Sequence, residues 1–240
     1  MSDPATTDPA ETGSEPARER RPAPQVIPRP ANARRGEPAP WAHLPARQRR
    51  PDLAQVRAAL AAAGPPRRST LEGTGTRASA VLAPLYEQDG EAVVVLTRRS
   101  AQLRSHRGEV SFPGGGRDAG DVDLRATALR EAAEEVRLDP GSVEIIGELD
   151  HLQTVTSRSF IVPYVGQLPG RPELEASPDE VAAILHVPLS ELLDPDLFHE
   201  ERWGLAPLEH PIYFFELDGD TVWGATAAML RNLLRLITQT

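Results

Sequence analysis

The sequence predicts an α+β fold, because β-type and helix-type runs are interspersed without a regular strand–helix–strand repeat. Runs rich in Val and Leu at 78–86 and 91–97 flank an Asp-Gly pair, which favours a tight hairpin. Apolar residues recur at helical spacing in 123–137 and 225–237. We therefore expect one mixed domain in this chain of 240 residues, preceded by a terminal segment of different composition.

The remaining elements follow from periodicity and from turn residues. Residues 52–63 predict a helix that begins after Pro51 and ends at the Gly-Pro-Pro sequence of 64–66. Pro163 lies inside a predicted strand and indicates a sheet edge or a bulge. Further strands are predicted at 109–112, 143–149, 160–168, 181–187, 211–217 and 221–223, with a helical turn at 189–193.

Composition divides the chain into three parts. Residues 1–50 are rich in Pro, Ala, Glu and Arg and predict a disordered tail, since so few apolar groups cannot offset the entropy of ordering. Its large apolar side chains are almost confined to Val26, Ile27, Trp41 and Leu44. Residues 51–74 are predicted to be an N-terminal helix and linker, and 75–240 the folded domain.

The net charge and the absence of secretory or membrane-spanning segments narrow the class of protein. A net charge of −9 disfavours a nucleic-acid partner, because phosphate backbones attract clustered positive charge. No secretory signal or apolar run of membrane-spanning length occurs, so we expect a soluble, cytoplasmic protein without a membrane partner. The absence of cysteine excludes disulfides and thiolate metal ligands. The sequence leaves a homodimer open.

Glycines lead into a helix that carries three carboxylates. Glu131, Glu134 and Glu135 share one helix face, where like charges repel each other and a divalent cation with oxygen ligands would stabilise them. Glutamates at this spacing more often form a solvated helix face than a metal site. The glycine turn at 114–116 and Arg130, directly before the first glutamate, favour the metal site instead.

This segment resembles the Nudix box. Gly115 takes its first position, and Arg130-Glu131, Ala132, Glu134-Glu135 and Leu138 take the central and final ones. Two positions depart from the consensus: Asp121 leaves eight rather than seven residues before Arg130, and Arg137 replaces the late glycine. The first departure indicates a longer loop, and the second a helix exit that does not need a left-handed residue.

A pattern upstream of the box resembles the signature of the coenzyme A diphosphatase branch of this family. It comprises Leu96, Thr97, Arg99, Ser100, Arg104, Gly108, Phe112, Pro113, Gly114 and Gly115. The resemblance covers roughly 75–237 and implies an α/β/α sandwich with a mixed sheet. It also implies hydrolysis of coenzyme A or acyl-coenzyme A into adenosine 3′,5′-bisphosphate and a 4′-phosphopantetheine fragment, with Mg²⁺ or Mn²⁺ as cofactor.

The same resemblance implies roles for single residues. Glu131 and Glu135 would be metal ligands, Glu134 a ligand or the proton acceptor, and the Gly115 carbonyl an additional ligand. Arg130 would orient the carboxylates by pairing with Asp121. Glu180 is the candidate for an additional catalytic carboxylate beyond the box, although it could equally cap or solubilise its loop.

The basic residues before the glycine turn suit a small polyphosphate. Arg99 and Arg104 belong to the upstream signature, and a guanidinium can bind phosphate oxygens in pairs. His106 and Arg107 are further substrate-binding candidates. Two alternatives stay open: a Nudix diphosphatase for ADP-ribose, dinucleotides or nucleoside triphosphates, and a non-catalytic scaffold that senses a nucleotide or acyl-coenzyme A.

Overall fold

The computed structural model describes residues 25–103, 105–154, 159–205 and 208–240. The helices are α1 (Leu53–Ala62), α2 (Leu124–Val136), α3 (Leu189–Leu192) and α4 (Gly224–Thr238). The first strands are β1 (Arg34–Arg35), β2 (Ala78–Gln88), β3 (Glu91–Arg99), β4 (Val110–Ser111), β5 (Gly114–Gly116) and β6 (Glu144–Glu148). The later strands are β7 (Leu152–Thr154), β8 (Ser159–Gln167), β9 (Val181–Pro188), β10 (Phe198–Trp203), β11 (His210–Leu217) and β12 (Asp220–Trp223).

The larger sheet is mixed and is organised around β2. Its order is β4-β3-β2-β8-β6, and β5, β7 and β9 pair with β2, β8 and β3 respectively. β2 runs antiparallel to β3 and β5 but parallel to β8. One strand therefore connects the predicted hairpin, the glycine segment and the interior of the sheet.

Helices cover both faces of this sheet. Leu82 and its neighbours on one face pack with Ala128, Ala132 and Val136 of α2. Ala83 and its neighbours on the other face pack with α1 and α4 in a larger core. The predicted α+β class and its layered arrangement are confirmed, because alternate residues of one strand contact helices on opposite sides.

A second, antiparallel sheet has the order β1-β10-β11-β12. Phe198 and Phe215 point from it into the larger core, where Trp41 contacts both rings. β10 was not predicted, since the sequence Phe-His-Glu-Glu-Arg-Trp carries several charged residues and little β-type pattern. Its pairing with β11 is set by tertiary contacts rather than by local propensity.

The tail prediction is wrong for residues 25–50. Arg34 and Arg35 pair with β10, and the Trp41 side chain is fully buried beside Phe198 and Phe215. Composition underestimated this segment because one Trp side chain removes a large apolar area from water when a partner sheet is available. Residues 1–24 lie outside the described part of the chain.

Pro163 does not lie on a sheet edge, because β8 has β2 on one side and β6 and β7 on the other. β6 pairs with Tyr164 and the residues after it, whereas β7 pairs with Ile161 and those before it. The Pro163 carbonyl accepts from the Leu149 N–H at 2.9 Å, between these two partners. The N and O atoms of one strand residue point to the same side of the strand. The nitrogen of Pro163, which carries no hydrogen, therefore faces the place where the partner strand changes from β7 to β6.

The predicted helix at 52–63 is confirmed as α1, and a capping box begins it. Asp52 Oδ1 accepts from the Gln55 N–H at 2.7 Å, and Gln55 Oε1 accepts from the Asp52 N–H at 3.0 Å. The strand pair β2 and β3 and the closing helix α4 also lie where they were predicted. No helix of the described residues is long and apolar enough to cross a membrane.

Candidate active site

The glycine strand β5 brings the main chain against the carboxylate helix α2. A Cβ atom on Gly115 would lie 2.5 Å from Cδ of Glu131, and one on Gly114 would lie 2.5 Å from the Ala80 carbonyl oxygen. Neither position has room for a side chain, so the two glycines allow the backbone to pass between β2 and the glutamates. The first position of the predicted box is thereby explained by space rather than by a positive φ angle.

The helix α2 begins at a well-defined cap. Asp123 Oδ1 accepts from the Ala126 N–H at 2.7 Å. The helical spacing of Leu124, Leu129, Ala132, Ala133 and Val136 predicts that these five residues face inward. Ala132 and Val136 are buried as predicted, but the other three are only partly buried. Thr127, Ala128 and Glu135 are buried instead. The packed face is therefore rotated from the predicted one, and Glu135 is carried into the interior.

Glu135 is the most enclosed of the three glutamates, with 3% of its side chain exposed. Burial raises the pKa of Glu135 to about 7, and the charges of Glu131 and Glu180 also raise it. Two groups oppose this effect: the charge of Arg99, whose Nη1 lies 3.6 Å from Oε1, and the Gly114 N–H, which donates to Oε2 at 3.3 Å. Sequence reasoning missed the Gly114 amide, because a main-chain donor has no residue-type signal.

Glu131 lies next to Glu135 on the same side of the helix and faces Gly115. Burial raises the pKa of the Glu131 carboxyl, while Arg130, with Nη2 at 3.0 Å from Oε1, lowers it. The charges of Glu134 and Glu180 raise that pKa further. The neighbouring charges thus disfavour the ionised forms of Glu131 and Glu135.

Glu134 differs from the other two glutamates, because 59% of its side chain is exposed. Its Oε2 accepts from Arg130 Nη1 at 3.1 Å. It therefore lies at the solvent side of the site, where it can exchange protons with water.

Arg130 connects the helix to the preceding loop. Its Nε and Nη2 bind the two carboxylate oxygens of Asp121 at 3.0 and 3.1 Å, and Nη2 also lies 3.2 Å from the Gly116 carbonyl oxygen. The guanidinium holds the pKa of Asp121 well below its usual range, helped by donors from Asp118 and Thr127. The predicted pairing of Arg130 with Asp121 is confirmed, so the longer spacing before Arg130 is absorbed by the loop.

Thr127 contributes to this network although no sequence pattern pointed to it. Its Oγ1 donates to Asp121 Oδ2 at 2.8 Å from a fully buried position on α2. Asp121 is consequently fixed by three groups: a donor in its own loop, Thr127 near the start of the helix, and Arg130. Such fixing of the groups around a ligand residue determines how accurately the ligand residue points.

The loop before β9 brings Glu180 towards the same carboxylates. The N–H groups of Glu175 and Ser177 donate to the carbonyls of Val136 and Glu135 at 3.1 and 2.8 Å, which fastens this loop to the end of α2. The Glu180 carbonyl accepts from the Ser100 N–H at 2.7 Å. Glu180 is exposed, and its charge raises the pKa values of both Glu131 and Glu135.

Of the four predicted substrate-binding residues, the structure places Arg99 at the carboxylates. Its Nη1 lies 3.6 Å from Glu135, and its buried Nε has no hydrogen-bond partner among the described residues. His106 and Arg107 are exposed and bond within their own loop, to Glu109 and to the Leu103 carbonyl. Arg104 lies outside the described residues. The substrate roles of all four residues stay predictions.

Arg98, the neighbour of Arg99, has a structural partner. Its Nε and Nη2 bind the carboxylate of Asp220 on β12 at 2.7 and 2.5 Å. The ion pair is largely buried and ties the end of β3 to the second sheet. Two adjacent arginines therefore have different partners: Arg98 binds Asp220, and Arg99 lies beside Glu135.

The prediction about the helix exit is wrong. Arg137 adopts a left-handed conformation with φ 54° and ψ 29°, and its N–H and that of Leu138 donate to the carbonyls of Ala133 and Ala132. The consensus glycine is absent, but the left-handed turn that glycine serves is retained. A left-handed conformation is unfavourable for a residue with a Cβ atom. The burial of the Leu138 side chain just after the turn offsets part of that cost.

The donor set fits a hard divalent cation. Glu131, Glu134, Glu135, Glu180 and the Gly115 carbonyl offer only oxygen, which Mg²⁺ and Mn²⁺ prefer. Within the described ranges, no group of three or more acidic or histidine side chains is arranged to hold an ion as it stands. Glu131 and Glu135 instead pair with Arg130 and Arg99. Binding of an ion would therefore require these carboxylates to turn from arginine towards the cation.

A mixed sheet between helices, a glycine strand and a helix of paired Arg and Glu residues together are the features expected of a protein of the Nudix type. The family model of the NUDIX domain matches residues 76–208, which is more than half of the chain. The chain belongs to the Nudix family. Members act on small-molecule substrates that contain a nucleoside diphosphate linked to another group, generally with a divalent metal ion.

Relatives agree with this assignment. An uncharacterized Nudix hydrolase NudL of Photorhabdus laumondii is 38% identical over 173 residues, which cover 72% of this chain and 90% of that protein. The protein of the same name from Citrobacter koseri is 40% identical over 162 residues, covering 68% and 83% of the two chains. The Nudix domain of Shewanella oneidensis NrtR, solved with ADP ribose, is 20% identical, with a TM-score of 0.42 and coverage of 53% and 82%.

Proposed function

We propose that this Nudix hydrolase cleaves the diphosphate of coenzyme A or acyl-coenzyme A. The observation that supports the proposal is Arg99, whose partly buried guanidinium stands beside Glu135 with its Nε unpaired among the described residues. Arg99 belongs to the upstream sequence signature, and a partly enclosed guanidinium suits a phosphate oxygen better than open solvent. Coenzyme A carries a 3′-phosphate in addition to its diphosphate, so further positive charge nearby has a use.

Glu131 and Glu135 would hold the divalent ion, with Glu134, Glu180 and the Gly115 carbonyl as further oxygen donors. A bound cation supplies charge neutralisation at the phosphoryl oxygens and lowers the pKa of water. Arg130, itself fixed by Asp121, pairs with Glu131 and Glu134 and would hold Glu131 beside Gly115, from where Glu131 would turn towards the cation. Arg99 would bind the diphosphate beside Glu135 and orient the phosphorus for attack.

The reaction needs one proton acceptor. Water would attack one phosphorus, the bridging P–O bond would break, and the proton of the water would pass to a carboxylate. Glu134 and Glu180 are the two candidates, because both are exposed and both influence the pKa of Glu131. The products would be adenosine 3′,5′-bisphosphate and 4′-phosphopantetheine, or its acyl derivative.

A hydrolysis screen tests the substrate. The purified full chain is incubated with coenzyme A, acyl-coenzyme A, dephospho-coenzyme A, NADH and ADP-ribose, with Mg²⁺ or Mn²⁺, and the products are identified by mass spectrometry. We expect adenosine 3′,5′-bisphosphate from coenzyme A and a lower kcat/KM for the dephospho compound. Efficient cleavage of ADP-ribose or NADH with coenzyme A untouched would replace the proposal with the broader diphosphatase.

The carboxylates are tested separately. Glu131→Gln and Glu135→Gln should each abolish turnover without unfolding the protein. The control Glu37→Gln changes an exposed glutamate of the N-terminal segment, which comprises residues 25–50, and should keep wild-type rates. Full activity in both site variants would end the metal-ligand assignment. Comparing kcat of Glu134→Gln and Glu180→Gln identifies the proton acceptor. Removal of the acceptor should lower kcat strongly and change KM little. Binding of coenzyme A without hydrolysis at saturating metal would favour a sensing scaffold.

A further inference from the structure

The N-terminal segment reaches the loop that follows Arg99. Gln25 Nε2 donates to the Gly108 carbonyl oxygen at 2.6 Å, and Gln25 Oε1 accepts from the Thr221 N–H of β12 at 3.0 Å. One amide side chain thus bridges the loop of the upstream signature and the second sheet. Both groups that Gln25 binds belong to the main chain, so the bridge holds backbone positions rather than side-chain rotamers.

Gly108 in turn holds Arg99. The Gly108 N–H donates to the Arg99 carbonyl at 3.2 Å, and the Arg99 N–H donates to the Glu109 carbonyl at 2.9 Å. Gly108 has φ +68°, a conformation that suits glycine and closes the loop against the end of β3. The backbone of Arg99 is therefore fastened to Gly108, whose carbonyl oxygen Gln25 binds, and to the next residue, Glu109.

Gln25 is itself held by the rest of its segment. Arg29 Nε binds Glu201 of β10 at 2.9 Å, β1 pairs with the same strand, and Trp41 is buried in the core. On the other side of the bridge, Thr221 follows Asp220, which binds Arg98. Two separate contacts, Arg98 with Asp220 and Gly108 with Gln25, thus connect the end of β3 to the second sheet.

We infer that Gln25 is a positioning residue for Arg99. By fixing the Gly108 carbonyl it would keep the Arg99 guanidinium beside Glu135, where the polyphosphate of the substrate binds. This inference rests on the phosphate-binding role proposed for Arg99. It assigns to the N-terminal segment a part in substrate affinity that neither the family motif nor the composition of residues 25–41 indicates.

Steady-state kinetics of full-length variants test this role. Gln25→Ala removes both hydrogen bonds, and Gln25→Glu keeps the acceptor for Thr221 but loses the donor to Gly108. Each should raise KM for the cleaved substrate about three- to tenfold, the effect of one lost hydrogen bond, with kcat changed less than about twofold. The matched control is Asn32→Ala, because Asn32 also donates from its amide to a glycine carbonyl, that of Gly204 at 2.8 Å, but away from Arg99.

A double-mutant cycle separates positioning from a general loss of stability. In an Arg99→Ala background, Gln25→Ala should produce no further increase in KM, because its effect passes through the missing guanidinium. An equal rise in KM for Asn32→Ala, an unchanged KM for both Gln25 variants, or a full additional effect without Arg99 would each overturn the inference. If the wild type cleaves another Nudix substrate instead of coenzyme A, the cycle is run with that substrate, so the two proposals fail separately.

Discussion

At the scale of single residues, the site depends on how closely the main chain approaches a carboxylate. Gly115 leaves no space for a Cβ atom beside Glu131, and Gly114 none beside Ala80. The Gly114 N–H meanwhile donates to Glu135. The glycine strand therefore acts on Glu131 by its shape and on Glu135 by its amide.

Gly115→Ala should reduce kcat/KM by about a hundredfold, because the new methyl group displaces the Glu131 carboxylate and such misplacement in an active site is costly. Gly120→Ala is the matched control, since a Cβ there meets nothing within 4 Å. Kinetics and thermal unfolding of both variants make the comparison. Wild-type activity for Gly115→Ala would show that Glu131 is not required in its present position.

Glu135 predicts a specific pH dependence of the metal-free protein. Its pKa rises from the ordinary 4.5 to about 7 on folding, so the native state binds this proton more tightly than the unfolded state does. The resulting stabilisation is complete below pH 4.5 and is lost as the pH rises through 7. A shift of this size corresponds to about 3 kcal/mol.

Glu135→Gln removes this titration. With a chelator present, the unfolding free energy of the variant minus that of the wild type should increase by about 3 kcal/mol between pH 4.5 and pH 8. Urea unfolding at several pH values measures the difference, and the exposed Glu173→Gln variant controls for the change in net charge. A difference that does not vary with pH would mean that Glu135 is solvated in the native state.

At the scale of elements, the end of α2 shows how a consensus position can change while its geometry stays. Arg137 is left-handed, which costs a residue with a Cβ about 1 kcal/mol relative to glycine. Its ion pair with Glu175 is exposed on both sides and offsets little. The turn is nevertheless needed, because the loop of Glu175 and Ser177 binds the carbonyls at this helix end.

Arg137→Gly should therefore raise the unfolding free energy by about 0.5–1 kcal/mol. Arg125→Gly, at an exposed position in the first turn of the same helix, should lower it by about 0.5 kcal/mol. Chemical denaturation of both variants checks the opposite signs. If Arg137→Gly destabilised the protein, the left-handed exit would not be the dominant effect there.

Local patterns predicted the elements whose signals are local. The Asp-Gly turn, the Asp52 cap and the spacing of Ala132 and Val136 determine their structures over a few residues. The pairing of Arg34 and Arg35 with β10 could not be predicted, because it joins segments far apart in sequence. Within the site, Arg130 and Asp121 could be paired from the box, whereas the Gly114 amide and Thr127 could not, since burial and main-chain direction decide their roles.

At the scale of the whole molecule, residues 25–50 of the N-terminal segment are part of the folded domain. Trp41 is fully buried, stacks on Phe215 and meets the edge of Phe198. The segment also pairs its strand β1 with the second sheet. The larger core accordingly includes side chains from before the first helix as well as from α1 and α4.

Trp41→Ala should lower the unfolding free energy by about 3–5 kcal/mol, the usual cost of removing a buried aromatic side chain. The matched control is His43→Ala, two residues away and exposed, for which we expect a change within about 0.5 kcal/mol. Urea denaturation gives both values. A loss below about 1 kcal/mol for Trp41→Ala would mean that the segment does not contribute to the core.

The division of the apolar interior by the larger sheet has a consequence for how the protein tolerates sequence change. The helix α2, which carries the three glutamates, packs in the smaller core, while Trp41, α1 and α4 share the larger one on the opposite face. Substitutions in the larger core act on stability across a rigid sheet from the glutamates and are expected to combine almost additively with those in the smaller core. The larger core can therefore be repacked for thermal resistance, in evolution or by design. Selection on the reaction confines the smaller core to a narrow set of side chains.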